Sequence, residues 1–461
     1  MMLDAIRWDA DLIHRYDQDG PRYTLYPTPL QFNSNLGSFD LLHALRSSRQ
    51  AVRPLSLYVH LPFCADICYH CQRNKVISKD RERASPYLAR LEKEIELVGC
   101  HLSQDQMVEQ LHFGGGTPTF LGHAELRGLM SHLRKHFNLQ NDDHGDFSID
   151  IDPRAADWPT MGLLRELGFN RINIGLVDLD PDVQRAINRT QTLQQTQTVI
   201  EAARTLQFRS IQIDLSYGLP LQTPERFAQT VAAVIALQPE RVSVSSYSHA
   251  PERYMAQRKI NTAELPARSD KLAMLQHSVE QLTRAGYRYI GMDLFALPDD
   301  ELAMAQEDGA LQRSFQGYTT HGHCDLVGLG VSAISQIGDL YCQNNSDITL
   351  YQQSLAQGQL ATIRGLRCNQ DDQIRHYTIQ ALFCDFELRF DEIESIFGVS
   401  FKTYFEETWP ALEQMAADGL IQLSADAMTI LPAGRLLVHA VCMQFDHCLP
   451  PRPASRFLHA M

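Results

Sequence analysis

Apolar positions along the chain switch between two periods, and the switch sets the fold class. Runs such as LSLYVHL (55–61), VEQLHFGGGTP (108–118), FSIDID (147–152), RINIGLV (171–177), SIQIDLSYG (210–218), RVSVSSYS (241–248) and YRYIGMDLF (287–295) read as strands. Between them lie helix-period stretches, among them AELRGLMSHLRKHF, TLQQTQTVIEAARTLQF and RFAQTVAAVIALQ. A helix is also expected from Ser85 as cap and Pro86 in the first turn, with Leu88, Leu91, Ile95 and Val98 on one face. Strands alternating with helices imply right-handed βαβ units and a parallel sheet. The expected fold class is therefore α/β, a barrel or partial (β/α) barrel with parallel strands and its functional groups at the C-terminal strand ends. Those ends carry the loop after residue 61, Gly114 to Thr117, Asp150, Asp152, Asp178, Asp214, Tyr217, Tyr247 and His249.

The flanks differ. Residues 1–52 hold GPRYTLYPTPLQF, whose prolines and glycine oppose regular structure and whose aromatics suggest a packed covering segment. The stretch from Pro298 to Gly338 is too polar and glycine-rich for a simple core element and reads as an active-site closing segment. From about Gly365 the pattern is mainly helical, with Gly419 ending a helix and a hairpin around Ala425 and Asp426, as in a winged helix. The expected division is 1–52, 53–364 (barrel and extension) and 365–461 (helical C-terminal domain).

With 461 residues, 44 % hydrophobic and 21 % charged, the chain has room for two or three domains. A net charge of −14 opposes non-specific attraction to nucleic acid or anionic lipid, and residues 365–461 hold seven Lys and Arg against thirteen Asp and Glu, which weighs against a DNA-binding winged helix. No apolar run reaches the roughly 18 residues that span a bilayer, and the first residues carry acids where a signal peptide is basic, so a cytoplasmic location is expected.

Three of the ten cysteines, Cys64, Cys68 and Cys71, sit in YVHLPFCADICYHCQRN directly after the first strand. Thiolates hold soft metals and iron-sulfur clusters. Three ligands on a four-iron cluster leave one iron open, and S-adenosylmethionine chelates such an iron; the C-x3-C-x2-C spacing matches the radical SAM signature. A Cys3His zinc site completed by His70 or His60 is the competing metal reading, and a disulfide framework suits three clustered cysteines less well. The other seven cysteines read mostly as small core residues. In GGGTPT, glycines at a strand end let a ligand approach the backbone, although a tight turn has the same composition. Asp150 and Asp214 read as helix caps or as ligand groups aligned on one rim.

The cysteine loop, GGGTPT, IDIDPR, IDLSYGLP and FQGYTT together resemble the oxygen-independent coproporphyrinogen III dehydrogenase (oxidase) family of radical SAM proteins, over nearly the whole chain. The resemblance implies oxidative decarboxylation of two propionates of coproporphyrinogen III to vinyl groups, giving protoporphyrinogen IX in heme biosynthesis. A 4Fe-4S cluster held by Cys64, Cys68 and Cys71 would split S-adenosylmethionine, and the deoxyadenosyl radical would take hydrogen from the propionate β-carbon. Tyr58, Gly115 and Ile334 match contacts to that cofactor, and Asp150 stands where the family has glutamate. Gly116, Thr117, Arg189 and Asp214 match contacts to a second S-adenosylmethionine, and His60 and Gln316 fall in active-site motifs. The departures are Arg73 for a fourth motif cysteine, Gln72 for glycine, His70 for an aromatic, Val177 for glutamine and Ser248 for alanine. They motivate an alternative, a divergent paralogue carrying heme or porphyrin. The implied partners are a tetrapyrrole and a low-potential donor such as a flavodoxin system, for a monomer engaging neither nucleic acid nor membrane. Arg22 and Arg313 are candidates for substrate carboxylates by location only, and surface charge is the preferred reading of each.

Overall fold

The computed structural model describes residues 6–16, 23–140 and 142–449. Six parallel strands form its centre: β1 (Leu55–Leu61), β2 (Met107–Gly115), β3 (Asp146–Ile151), β4 (Arg171–Val177), β5 (Ser210–Tyr217) and β6 (Arg241–Ser246). They are joined by α1 (Ser85–Gly99), α2 (His123–His136), α3 (Trp158–Leu167), α4 (Leu193–Thr205) and α5 (Pro224–Leu237), and α6 (Arg268–Arg284) follows. β1 is buried on both faces, as a strand covered by crossover helices must be. Each helix turns its apolar stripe inward: on α2, Leu126, Leu129, Met130 and Leu133 are buried, each worth roughly 1.5–3 kcal/mol. Asp157, Thr192 and Thr223 start α3, α4 and α5 by accepting backbone N–H bonds from Thr160, Gln195 and Arg226. At α1 the capping residue is Ala84 rather than Ser85, which is already helical, and Asp80 caps the turn before it.

The sheet is an open path, a partial barrel, and its two edges depart from expectation. YRYIGMDLF is not one parallel strand: Met292 and Asp293 take positive φ (42° and 74°) and fold it into β7 (Arg288–Gly291) and β8 (Leu294–Ala296), with β8 antiparallel to β6. At the other edge the expected closing segment carries a short helix (Glu301–Glu307) and four short strands. After the hairpin β9 (Gln312–Ser314) and β10 (Gly317–Thr319), β11 (Asp325–Leu329) lies parallel to β1. β12 (Ile334–Ile337), β13 (Leu340–Asn344) and β14 (Thr362–Arg367) then add antiparallel. The glycines that spoke against a core element are what permit it: a Cβ on Gly328 would stand 2.3 Å from the Ile334 carbonyl oxygen. Glu94 of α1 fastens this extension, accepting from Gly330 N–H (2.7 Å), Tyr351 Oη (2.6 Å) and Asn344 Nδ2 (2.6 Å). Burial pushes the Glu94 carboxyl up to about 7.

A division at 364/365 falls inside β14, so we draw the boundary just beyond it, before α7 (Gln370–Asp385). The C-terminal part adds short helices and a three-stranded antiparallel sheet of β15 (Glu387–Arg389), β16 (Ile421–Leu423) and β17 (Ala427–Ile430), a winged-helix-like arrangement. The N-terminal segment packs on both parts: the Tyr26 hydroxyl donates to Asp372 (2.7 Å) and Arg7 N–H to the Pro432 carbonyl (3.1 Å), while Phe32 lies against Phe315 of the β9–β10 hairpin and Asn33 pairs with Gly365 of β14. Arg313 belongs to the same junction, donating to the Thr24 carbonyl (2.6 Å) and lying over the Tyr318 ring; Arg22 lies outside the described residues. Among the described residues no helix is long and apolar enough to cross a membrane.

Candidate active site

The C-terminal ends of the parallel strands surround two contiguous cavities, of about 400 and 680 Å³. The smaller is lined by Tyr58, His60, Arg73, Gly115, Asp150, Asp214, Gln316 and Ile334, among others. The larger is lined by Cys64, Cys68 and Cys71 together with Gly116, Thr117, Asp152, Val177, Arg189 and Ser248, and shares Arg73, Gly115, Asp150, Asp214 and Gln316 with the first. The site residues expected from the sequence thus all meet at one mouth.

The cysteine loop is held at both ends. Val76 N–H donates to the Pro62 carbonyl (2.7 Å) and Ser78 N–H to the Cys64 carbonyl (3.0 Å), while Tyr69 N–H reaches the Ile187 carbonyl (2.9 Å). Thr117 Oγ1 and Arg189 Nη1 each stand 3.7 Å from a cysteine sulfur, Cys64 and Cys68 respectively. Burial pushes the Cys64 thiol up, and Thr117 works against that. A tetrahedral zinc site needs a fourth ligand beside the three thiols, whereas a cubane held by three thiolates keeps one iron open. His60 is not a spare ligand: its Nδ1 is bonded to the Tyr58 hydroxyl (3.0 Å) and its Nε2 to the Asn74 carbonyl (3.1 Å). Three thiols lining a roomy polar cavity suit a cluster with one iron left for a small ligand.

The backbone of the glycine strand end approaches the loop as closely as it can. A Cβ on Gly116 would lie 2.6 Å from the Phe63 carbonyl oxygen, and Gly115 has φ of 109° with the His60 ring beside it. Below them a polar row crosses the sheet: Tyr58 pairs with His112, and Asp150 with Asn173 and then Gln212. His112, Asn173 and Gln212 were not singled out from the sequence. Their signal was a polar residue at every second position near the end of each strand, which in a strand buried on both faces needs a reason.

Burial would raise the Asp150 carboxyl, but Arg73 and then His112 hold it below the ordinary range. Burial brings His60 down to about 4, so it is neutral at pH 7. Asp152 accepts from Arg154 Nη2 (2.6 Å) and Arg189 Nη1 (3.0 Å), and Arg189 Nη2 donates to the Gly175 carbonyl (2.5 Å). Against the effect of burial, Arg154 and Arg189 hold Asp152 down to about 2. Four buried polar atoms of lining residues have no partner, His70 Nδ1, Arg189 Nε, Ser246 Oγ and Gln316 Nε2, so the larger cavity is built to meet a polar ligand. Val177 lines it with φ of 72°, unusual for a β-branched residue.

Two rim residues do other work. Asp178 is consumed by Gln222 Nε2 (2.5 Å), Thr230 Oγ1 (2.9 Å) and Asp180 N–H (2.7 Å), which brace the loop after β4, and Tyr217 is a core residue. Cys324, read as core, is half-buried at the opposite end of the barrel, its thiol 3.7 Å from Glu109.

An open parallel barrel with a three-thiol loop after its first strand defines a radical SAM protein, and residues 58–234 match the family model for the Radical SAM superfamily. The chain is 66 % identical over 456 residues to the oxygen-independent coproporphyrinogen III oxidase of Pseudomonas aeruginosa, covering 99 % of both chains. It is 44 % identical over 446 residues to that of Escherichia coli, covering 97 % of this chain and 96 % of the relative. The solved structure of the Escherichia coli coproporphyrinogen III oxidase, a radical SAM enzyme, superposes with a TM-score of 0.92 at 43 % identity, over 96 % of this chain and 100 % of that one. The chain belongs to the oxygen-independent coproporphyrinogen III oxidase family.

Proposed function

We propose that this chain oxidatively decarboxylates coproporphyrinogen III to protoporphyrinogen IX, and that the two cavities are where it does so. The observation that carries the reading is the three-thiol set opening directly onto a polar cavity with unpartnered donors, in a chain similar along its whole length to oxidases of that name. The 4Fe-4S cluster held by these thiols would supply the one electron that cleaves S-adenosylmethionine for hydrogen abstraction from each propionate, and loss of carbon dioxide with transfer of one further electron to an external one-electron acceptor would complete each vinyl group.

The protein's own residues position and enclose. Cys64, Cys68 and Cys71 ligate the cluster. Gly115 and Gly116 offer backbone that side chains would obstruct, while Tyr58, Asp150 and Ile334 line the first cofactor's cavity and Thr117, Arg189 and Asp214 the adjoining space for a second. His60, neutral and fixed between Tyr58 and Asn74, orients Tyr58 and cannot serve as a cation for the substrate. Gln316, at the tip of the β9–β10 hairpin, presents an unpartnered amide to the substrate side. A low-potential donor such as a flavodoxin system would supply the cluster's electron, and the enzyme would work as a cytoplasmic monomer without nucleic acid or membrane.

Anaerobic reconstitution followed by chromatography of the porphyrinogen products tests the proposal. Conversion of coproporphyrinogen III to protoporphyrinogen IX is expected; a fully loaded protein that cleaves S-adenosylmethionine yet leaves coproporphyrinogen untouched overturns the substrate assignment. Tight heme binding without turnover would instead favour the carrier reading, which the departures at Arg73, Val177 and Ser248 motivate.

A further inference from the structure

Beyond the third cysteine, the loop turns a side chain back into the smaller cavity. Arg73, two residues after Cys71, donates from Nη1 to Asp150 Oδ2 at 2.5 Å and to the Gly115 carbonyl at 3.4 Å. The other carboxylate oxygen of Asp150 is already engaged, with Asn173 Nδ2 at 3.4 Å and His112 Nε2 at 3.5 Å. Arg73 therefore takes the oxygen with capacity left. Asp150 and Gly115 are also two of the groups assigned above to S-adenosylmethionine.

That cofactor brings hydroxyl and amino donors to a carboxylate and a carbonyl, and it carries a fixed sulfonium charge. A guanidinium in the same place competes twice: it fills the acceptors, and it repels the sulfonium. The competitor is tethered, so its local concentration is high at every cofactor concentration. Its side chain remains 52 % exposed while that of Asp150 is 16 % exposed, so solvent weakens the pair and gives the guanidinium a path out.

We infer that Arg73 is an internal competitor of the cofactor, a cation on the cluster loop that occupies the Asp150 and Gly115 acceptors and must be displaced before S-adenosylmethionine binds. The inference rests on the reading of this cavity as the cofactor site. It gives the loop a role in setting cofactor affinity, independent of the cluster ligands themselves. Because the pair is half-exposed, added salt screens both the competition and the repulsion, so cofactor affinity rises with ionic strength as long as Arg73 is present.

The test is equilibrium dialysis of S-adenosylmethionine against anaerobically reconstituted protein, with iron content matched between the native chain, Arg73→Ala and Arg73→Gln. Arg73→Ala is expected to bind about tenfold more tightly, the order set by losing one charge-assisted hydrogen bond, and to lose the rise with salt. Arg73→Gln keeps side-chain length without charge and gives the same direction should the alanine variant load iron poorly. Equal or weaker binding by both variants at matched iron overturns the competition while leaving the functional proposal intact. Absence of binding by all three proteins overturns the cofactor reading and the inference with it.

Discussion

Removing the Asp152 carboxylate isolates the pair of arginines that stands behind the cluster loop. In the native chain it receives Arg154 through the backbone N–H (3.0 Å), Nε (3.0 Å) and Nη2 (2.6 Å), and Arg189 through Nη1 (3.0 Å). The Asp152 side chain is 9 % exposed, Arg189 10 % and Arg154 22 %. The folded carboxyl sits at about 2 against an ordinary 3.8, a difference that corresponds to about 2 kcal/mol of stability at neutral pH. Deletion costs more than that, because it also leaves a buried guanidinium without a counter-charge; broken buried pairs cost about 3–5 kcal/mol, and Arg154's partial exposure puts Asp152→Ala near the lower end. Because the folded value is depressed, the contribution is complete above the ordinary value and disappears as pH falls toward 2. Anaerobic urea unfolding, followed by circular dichroism at matched iron content, should show a loss of about 3 kcal/mol at pH 7 that narrows below about pH 4. Arg189→Ala in the Asp152→Ala background should recover part of the loss, with a coupling of about 1–3 kcal/mol. A single-variant change below about 0.5 kcal/mol at pH 7, or additive behaviour in the cycle, would refute this account of the pair.

Glu94→Ala strands the Gly330 N–H, the Tyr351 hydroxyl and the Asn344 amide, and is expected to cost about 3 kcal/mol in thermal unfolding and to speed hydrogen exchange around residues 328–334. The native carboxyl is raised from the ordinary 4.5 to about 7, so its contribution is complete below about pH 4.5 and is lost as pH rises through about 7; the gap between native and variant should shrink in the same direction. Gly116→Ala drives a Cβ to 2.6 Å from the Phe63 carbonyl and should lower the iron retained after reconstitution, measured by colorimetric iron assay. Gly128→Ala, on α2 with nothing within 4 Å, is the matched control and should instead stabilise the fold by up to about 1 kcal/mol.

The central strands were legible because each is a short Val, Ile or Leu run between helix-period stretches, and the rim followed from the parallel topology. The edges were not. YRYIGMDLF has the composition of one strand, and only the backbone at Met292 and Asp293 reveals the hairpin. The segment from Pro298 to Gly338 looked irregular because Gly328 and Gly330 serve close backbone packing, which residue pattern alone cannot distinguish from loop flexibility. In the site, Cys64, Cys68 and Cys71 declared themselves by spacing, whereas the pairing of Arg73 with Asp150 joins residues 77 positions apart and is visible only in three dimensions. Asp178 shows the reverse: its strand-end position suggested ligand chemistry, but Gln222 and Thr230, from two later segments, use up its oxygens.

Cys64, Cys68 and Cys71 would hold a 4Fe-4S cluster with one iron left for S-adenosylmethionine. Electron paramagnetic resonance of the anaerobically reconstituted, dithionite-reduced protein, recorded with and without S-adenosylmethionine, tests it most directly. A reduced 4Fe-4S signal is expected, lost in Cys68→Ser, whose shape changes when S-adenosylmethionine is added. Stoichiometric zinc without acid-labile sulfide, or a cluster signal indifferent to the cofactor at saturating concentration, would contradict it.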